Sequence, residues 1–202
     1  MSRFLITILV LLFSSLAQAT ALVYDVSGGK LAGIQNINVN GTLYDVSFID
    51  GSYTSIFGDA SNLAFTSSGD ATAASNALIS ALADGVVAND GNTYNFDTND
   101  VKLIEGCGYT MYCYILTPYG DYTNTSGLNY VSDSAAYVWN DTTSDFSTSY
   151  PMAVDTDTGT GVTDYWLVYA RWSPSTSVPE PATIALMGLG LAGVGFTRRR
   201  TR

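Results

Sequence analysis

The chain of 202 residues is 47% hydrophobic and 12% aromatic but only 13% charged, enough for one domain or two very small ones. Acids outnumber bases 18 to 8, and Arg3, Arg198, Arg199, Arg200 and Arg202 put five of those bases at the two ends. Between residues 20 and 177 only Lys30, Lys102 and Arg171 stand against 17 acids, a net of −14. Such a body has no electrostatic footprint for nucleic acid or anionic lipid, and a His count of 0 removes the Ser-His-Asp and Cys-His nucleophile systems and every imidazole metal site.

Arg3, the apolar run Phe4 to Phe13 and the small-residue box Ala17-Gln18-Ala19 have the three parts of a secretory signal. A signal helix over 1–19 is therefore expected, with cleavage after Ala19 or, through the overlapping Ala19-Thr20-Ala21, after Ala21. The exported body is expected over 20–172.

Within that body, Gln35 to Ile49 alternates on both sides of Asn40-Gly41, the favoured pair for a two-residue type I′ hairpin. That turn pairs Val39 with Thr42 and Ile37 with Tyr44, and puts Ile37, Val39, Tyr44, Val46 and Phe48 on one face. Asp50-Gly51-Ser52 closes the second strand as a turn. Residues 70–84 then carry Ala74, Ala77, Leu78, Ala81 and Leu82 at helical spacing. They predict one packed α-helix capped by Asp70 and ended by Gly85, with Ser75 and Ser80 facing away.

Turns at Asp90-Gly91-Asn92 and Asp97 to Asp100 flank Tyr94-Asn95-Phe96, and strand-like runs follow at about Tyr112 to Thr117, Tyr130 to Trp139 and Asp164 to Trp172. In the last of these Tyr165, Leu167 and Tyr169 alternate with Trp166, Val168, Ala170 and Trp172, so both faces are apolar and the strand belongs inside a covered sheet. The fold class is mainly β, an antiparallel sheet or sandwich with one packed helix.

Cys107 and Cys113 are the chain's two cysteines. Fully extended they would stand ~20 Å apart, beyond the ~7 Å limit for a bridge, so pairing requires the chain between them to loop back, which Gly106 and Gly108 make easy. An exported protein matures in an oxidising compartment, and a structural disulfide is the expectation. Asp155 and Asp157 sit in an oxygen-rich loop that suggests calcium. Gly159 and Trp166, however, occupy ligand positions of the EF-hand pattern, so the plainer reading is a solvated turn. Glu105 with Asp97 or Asp100 offers the carboxylate pair a glycoside hydrolase needs, although spacing along the chain fixes no separation. Aromatics concentrate in the C-terminal half, where they are core or, on a wet face, a stacking surface for sugar rings.

Residues 173–178 read as a polar linker. Beyond it Pro179-Glu180-Pro181 leads into the apolar, glycine-rich stretch Ala182 to Phe196 and then Arg198, Arg199 and Arg200. The charge bias places those arginines in the cytoplasm as a stop signal and the Pro-Glu-Pro outside, with a C-terminal membrane helix over 182–196.

This tail, 179–202, resembles the PEP-CTERM sorting signal of exported proteins from Gram-negative bacteria that make extracellular polysaccharide. The resemblance implies recognition near Pro179, Glu180 and Pro181 by exosortase, a membrane transpeptidase-like enzyme, and removal of the tail after a transient stay in the inner membrane. The hairpin, the helix and the Cys107 to Gly120 stretch resemble a recurring PEP-CTERM body type without assigned activity. Relatives of that type often carry cysteines just after the hairpin, where this chain has Tyr53 and Gly58. The expected function is a non-catalytic envelope or extracellular-matrix protein, polysaccharide-associated and without a cofactor. The alternatives are a carboxylate hydrolase and a purely structural or adhesive module.

Overall fold

The computed structural model describes residues 21–97, 101–109, 111–140, 145–155 and 166–176. The chain divides into a body, Ala21–Ser175, and a second unit made of Met1–Thr20 and Thr176–Arg202. The signal helix over 1–19 and the membrane helix over 182–196 fall outside the described residues. Among the described residues no helix is long and apolar enough to cross a membrane.

The body contains β1 (Val23–Ser27), β2 (Lys30–Val39), β3 (Thr42–Ile49), α1 (Tyr53–Phe57), α2 (Ser68–Ala81), β4 (Asp84–Val87), β5 (Thr93–Asn95), β6 (Tyr112–Thr123), β7 (Asn129–Trp139), β8 (Phe146–Thr148) and β9 (Leu167–Pro174), with single 3-10 turns at Ala60–Asn62 and Val101–Leu103. One curled sheet has the order β1-β2-β3-β9-β6-β7-β8, while β4 and β5 pair separately.

The Asn-Gly hairpin forms in the expected register, Val39 opposite Thr42 and Ile37 opposite Tyr44, with φ of 51° at Asn40 and 89° at Gly41. β2 also holds two register shifts that period-2 reasoning does not supply, one beside Ala32 against β1 and one between Ile34 and Ile37 against β3. Each inserts an extra residue, so Leu31, Ile34 and Ile37, three apart, all reach the same core instead of alternating across the sheet. Asn36 takes φ of 65° at the second bulge, and its N–H donates to Asp45 Oδ1 at 3.0 Å.

β9 is central and buried on both faces, as its composition requires. It is antiparallel to β3 and parallel to β6, the one parallel pairing in a described sheet that is otherwise antiparallel, as expected in the main. A strand inserted between two strands of opposite direction must run parallel to one of them. Trp166, expected to share a face with Val168, precedes the strand and packs on the opposite core. β9 also continues into the expected linker, pairing Ser173 with Asp45 and Pro174 with Tyr44; at the last ladder position the missing proline N–H is tolerated.

The helix expected over 70–84 is α2, and its ends differ. Ser67, not Asp70, is the N-cap. Its Oγ accepts from the Asp70 N–H and donates to the Asp70 carboxylate, so Asp70 completes a reciprocal cap from inside the helix. Leu82 ends the helix, and Gly85 lies in β4 with φ of 70°. Ala71, Ala74, Leu78 and Ala81 bury a small-residue face on the sheet. Ser75, expected outside, is buried with them and donates to the Ser134 carbonyl at 2.9 Å.

One core lies between α2 and the sheet. The other, on the opposite face, gathers Tyr53, Phe57, Leu116, Val131, Ala135, Met152, Leu167 and Tyr169 beneath α1 and the 150–154 segment.

Candidate functional site: an aromatic platform on β6, β7 and β8

In β6, Cys113 and Ile115 enter the core under α2, so Tyr112 and Tyr114 emerge on the other face. In β7, Ala136 and Val138 go inward and Tyr137 and Trp139 emerge likewise. Register then places Tyr112 opposite Trp139, Tyr114 opposite Tyr137, and Tyr137 opposite Phe146 of β8. These cross-strand pairs touch with ring centroids 5.4, 4.2 and 4.9 Å apart, and Tyr150 joins Tyr114 at 4.7 Å.

The disulfide contributes to the same surface. Cys107 and Cys113 are bonded, with Cα atoms 5.8 Å apart and both side chains fully buried. The loop they close brings Tyr109 back against Tyr112 at 4.8 Å and Trp166 at 6.3 Å. The result is a contiguous patch in which Tyr137 is buried at the centre, while Tyr109, Tyr112, Tyr114, Trp139, Tyr150 and Trp166 are half-buried around it. Phe146 and Met111 lie at its margin, 48% and 49% exposed. Burial together with neighbouring tyrosine hydroxyls pushes the Tyr137 phenol up, and burial raises Tyr114, so both remain neutral hydrogen-bonding hydroxyls. The Asp145 carboxylate stands at the edge of the patch, accepting the Trp139 N–H at 2.8 Å.

Sequence placed aromatics in this half of the chain without choosing their face. The structure divides them. Tyr169 and Trp172 are core, the latter donating Nε1–H to Thr117 Oγ1 at 3.1 Å, and Tyr122 stacks on Tyr130 near the β6–β7 hairpin tip. Tyr165 lies outside the described residues. Phe146 carries no sequence signal because β8 has three residues and is too short to show alternation, and Tyr150 lies beyond that strand.

The described carboxylate candidates have different surroundings. Asp97 lines a shallow depression with Asp84 and Asp145, its N–H donating to Asp84 Oδ1 at 3.1 Å, and Glu105 is not among the lining residues. Glu105 is half-buried between the Val101–Leu103 turn and the disulfide, its N–H bonded to the Leu31 carbonyl at 2.9 Å. Asp100 lies outside the described residues. Of the calcium candidates, Asp155 accepts from Thr54 Oγ1 at 2.8 Å and Asp157 is outside. Among the described residues no group of three or more carboxylates or thiols is arranged to hold a metal ion.

Tyr53, at one expected position of a second cysteine, is the first residue of α1. It is buried together with Asp133 and Tyr169, and Tyr53 Oη, Asp133 Oδ2 and Tyr169 Oη have no hydrogen-bond partner.

The tail residues Pro179, Glu180, Pro181, Arg198, Arg199 and Arg200 lie outside the described residues, and here comparison with known proteins decides. Residues 177–200 match the PEP-CTERM protein-sorting motif. This PEP-CTERM tail makes the chain an exported protein sorted by exosortase, a membrane enzyme, with transient membrane anchoring on the way. No curated protein and no solved structure matches the chain.

Proposed function

We propose that the body is a non-catalytic module that holds polysaccharide in the envelope or extracellular matrix of a Gram-negative bacterium, with the aromatic platform as its contact surface. The observation that carries this reading is the patch itself. Half-buried rings and neutral phenol hydroxyls on a rigid sheet combine flat apolar surface with hydrogen-bonding edges, the combination that sugar rings require. Exposed apolar surface of this kind marks contact sites more often than chance. The PEP-CTERM tail supports export, and an exported body favours a partner found outside the cytoplasm, as such polymers are.

Affinity electrophoresis of the purified body in gels containing extracellular polysaccharide tests the reading. Retardation is expected, and Phe146→Ala with Trp139→Ala should weaken it about tenfold, the equivalent of roughly 1.4 kcal/mol of ring contact. Unretarded migration would favour a purely structural or adhesive module. Assays on glycosidic and ester substrates with Glu105→Gln as control address the hydrolase alternative: turnover that this substitution abolishes would end the non-catalytic reading.

A further inference from the structure

Both ends of the body are held by one side chain. Asn36, 7% exposed at the β2 bulge, donates from Nδ2 to the Ala21 carbonyl at 3.1 Å and accepts at Oδ1 from Ser175 Oγ at 2.9 Å. Ser175 is pinned a second time, its N–H bonding the Leu43 carbonyl at 2.9 Å. Ala21 and Ser175 are the first and last residues of the compact body, so the chain enters and leaves it at a single amide clasp.

Strand direction then gives the body two distinct ends. β9 starts beside Tyr114, where Leu167 pairs with it, and runs to Pro174 beside Tyr44, a length of about 25 Å for a strand of this size. The aromatic platform surrounds its start and the clasp holds its finish. β6 runs parallel to β9, and beyond Leu116 it carries its hairpin the same way, to a tip with Leu128 56% and Tyr122 46% exposed. The neighbouring β2–β3 tip, Asn38 to Leu43, has no charged residue of its own, and Asn38, Asn40 and Thr42 are exposed, with Asp70 of α2 lining the depression beside Asn40 and Thr42.

Pro179 is four residues beyond Ser175 and Pro181 six, a reach of at most about 22 Å for the whole Pro-Glu-Pro. An enzyme acting at Pro179-Glu180-Pro181 must therefore work within that distance of the clasp. We infer that the clasp end of the sheet, with the uncharged β2–β3 tip beside Asn36 and Ser175, is the surface this protein turns toward its membrane-embedded sorting enzyme, while the aromatic platform faces away. The polysaccharide reading is not required for this assignment, which rests on the PEP-CTERM tail and the body's geometry.

Site-specific photocrosslinking in the full-length precursor tests it, in a producing strain whose sorting enzyme has been inactivated so that the complex persists. A benzophenone amino acid replaces Thr42, exposed at the clasp end, or Phe146, exposed on the platform. The Thr42 probe is expected to give at least tenfold more covalent adduct with the sorting enzyme than the Phe146 probe. Equal yields, a dominant Phe146 adduct, or no adduct from either position would overturn the assignment. Glycan retention is read in a separate assay on the purified body, so failure of one proposal is distinguishable from failure of the other.

Discussion

Asp133 is 2% exposed on β7, with Oδ1 accepting the Tyr150 N–H at 2.8 Å and Oδ2 left without a partner. Burial dominates that single bond and pushes the carboxyl up from 3.8 to about 7. The nearby phenols stay neutral, since burial drives Tyr53 up to about 12 and moves Tyr169 in the same direction, and a phenol supplies no positive charge to hold the carboxylate ionised. The sign of the linkage follows. Between about pH 4 and 7 the folded chain keeps a proton that the unfolded chain has released, so stability falls as pH rises through that window. The difference corresponds to roughly 4 kcal/mol, a sizeable part of a typical domain's stability. Asp133→Asn keeps an acceptor for Tyr150 and removes the ionisation. Urea unfolding at pH 4 to 8 should show a declining stability for the parent and a much flatter one for the variant; parallel curves would exclude Asp133 as the source.

At the scale of elements, the Cys107–Cys113 bridge ties the segment after the Val101–Leu103 turn to the first residues of β6. Closing so short a loop contributes about 2–3 kcal/mol in the chain-entropy model. Thiol labelling of the unfolded, unreduced protein should find neither cysteine, and the double Cys→Ala variant should lose that stability together with the near-ultraviolet signal of the Tyr109–Tyr112 pair; an unchanged unfolding midpoint would show the bridge to be dispensable. The bridge, the Asn-Gly hairpin and the body of α2 were legible in the sequence because each rests on local chemistry: paired thiols, a turn needing positive φ, a 3.6-residue period. What escaped was set by distant partners. Ser75 is inside because a carbonyl 59 residues away receives it, and Leu31, Ile34 and Ile37 share a core only through bulges that the neighbouring strands impose. α1, with five residues, is too short for its period to appear. The platform was half legible, since alternation separates Tyr112 and Tyr114 from Cys113 and Ile115 without saying which set α2 covers.

For the whole molecule the decisive event is what happens to the PEP-CTERM tail. The body is complete by Ser175, with its last strand paired and its last hydroxyl on Asn36, so cleavage near Pro179-Glu180-Pro181 removes no part of the sheet. Two prolines in three residues, 179 and 181, supply no amide donors there. Ala182 to Phe196, as the helix the sequence predicts, would span about 22 Å, short of a ~30 Å hydrocarbon core. Such a segment must thin the bilayer or find a protein partner, which suits temporary residence better than a lasting anchor. Intact-mass measurement of the protein from a producing strain, beside a strain lacking the sorting enzyme, is expected to show the arginines lost only where the enzyme is present. A mature chain still ending at Arg202 in the normal strain would mean that the tail is a permanent anchor and that its Pro-Glu-Pro is not a cleavage signal.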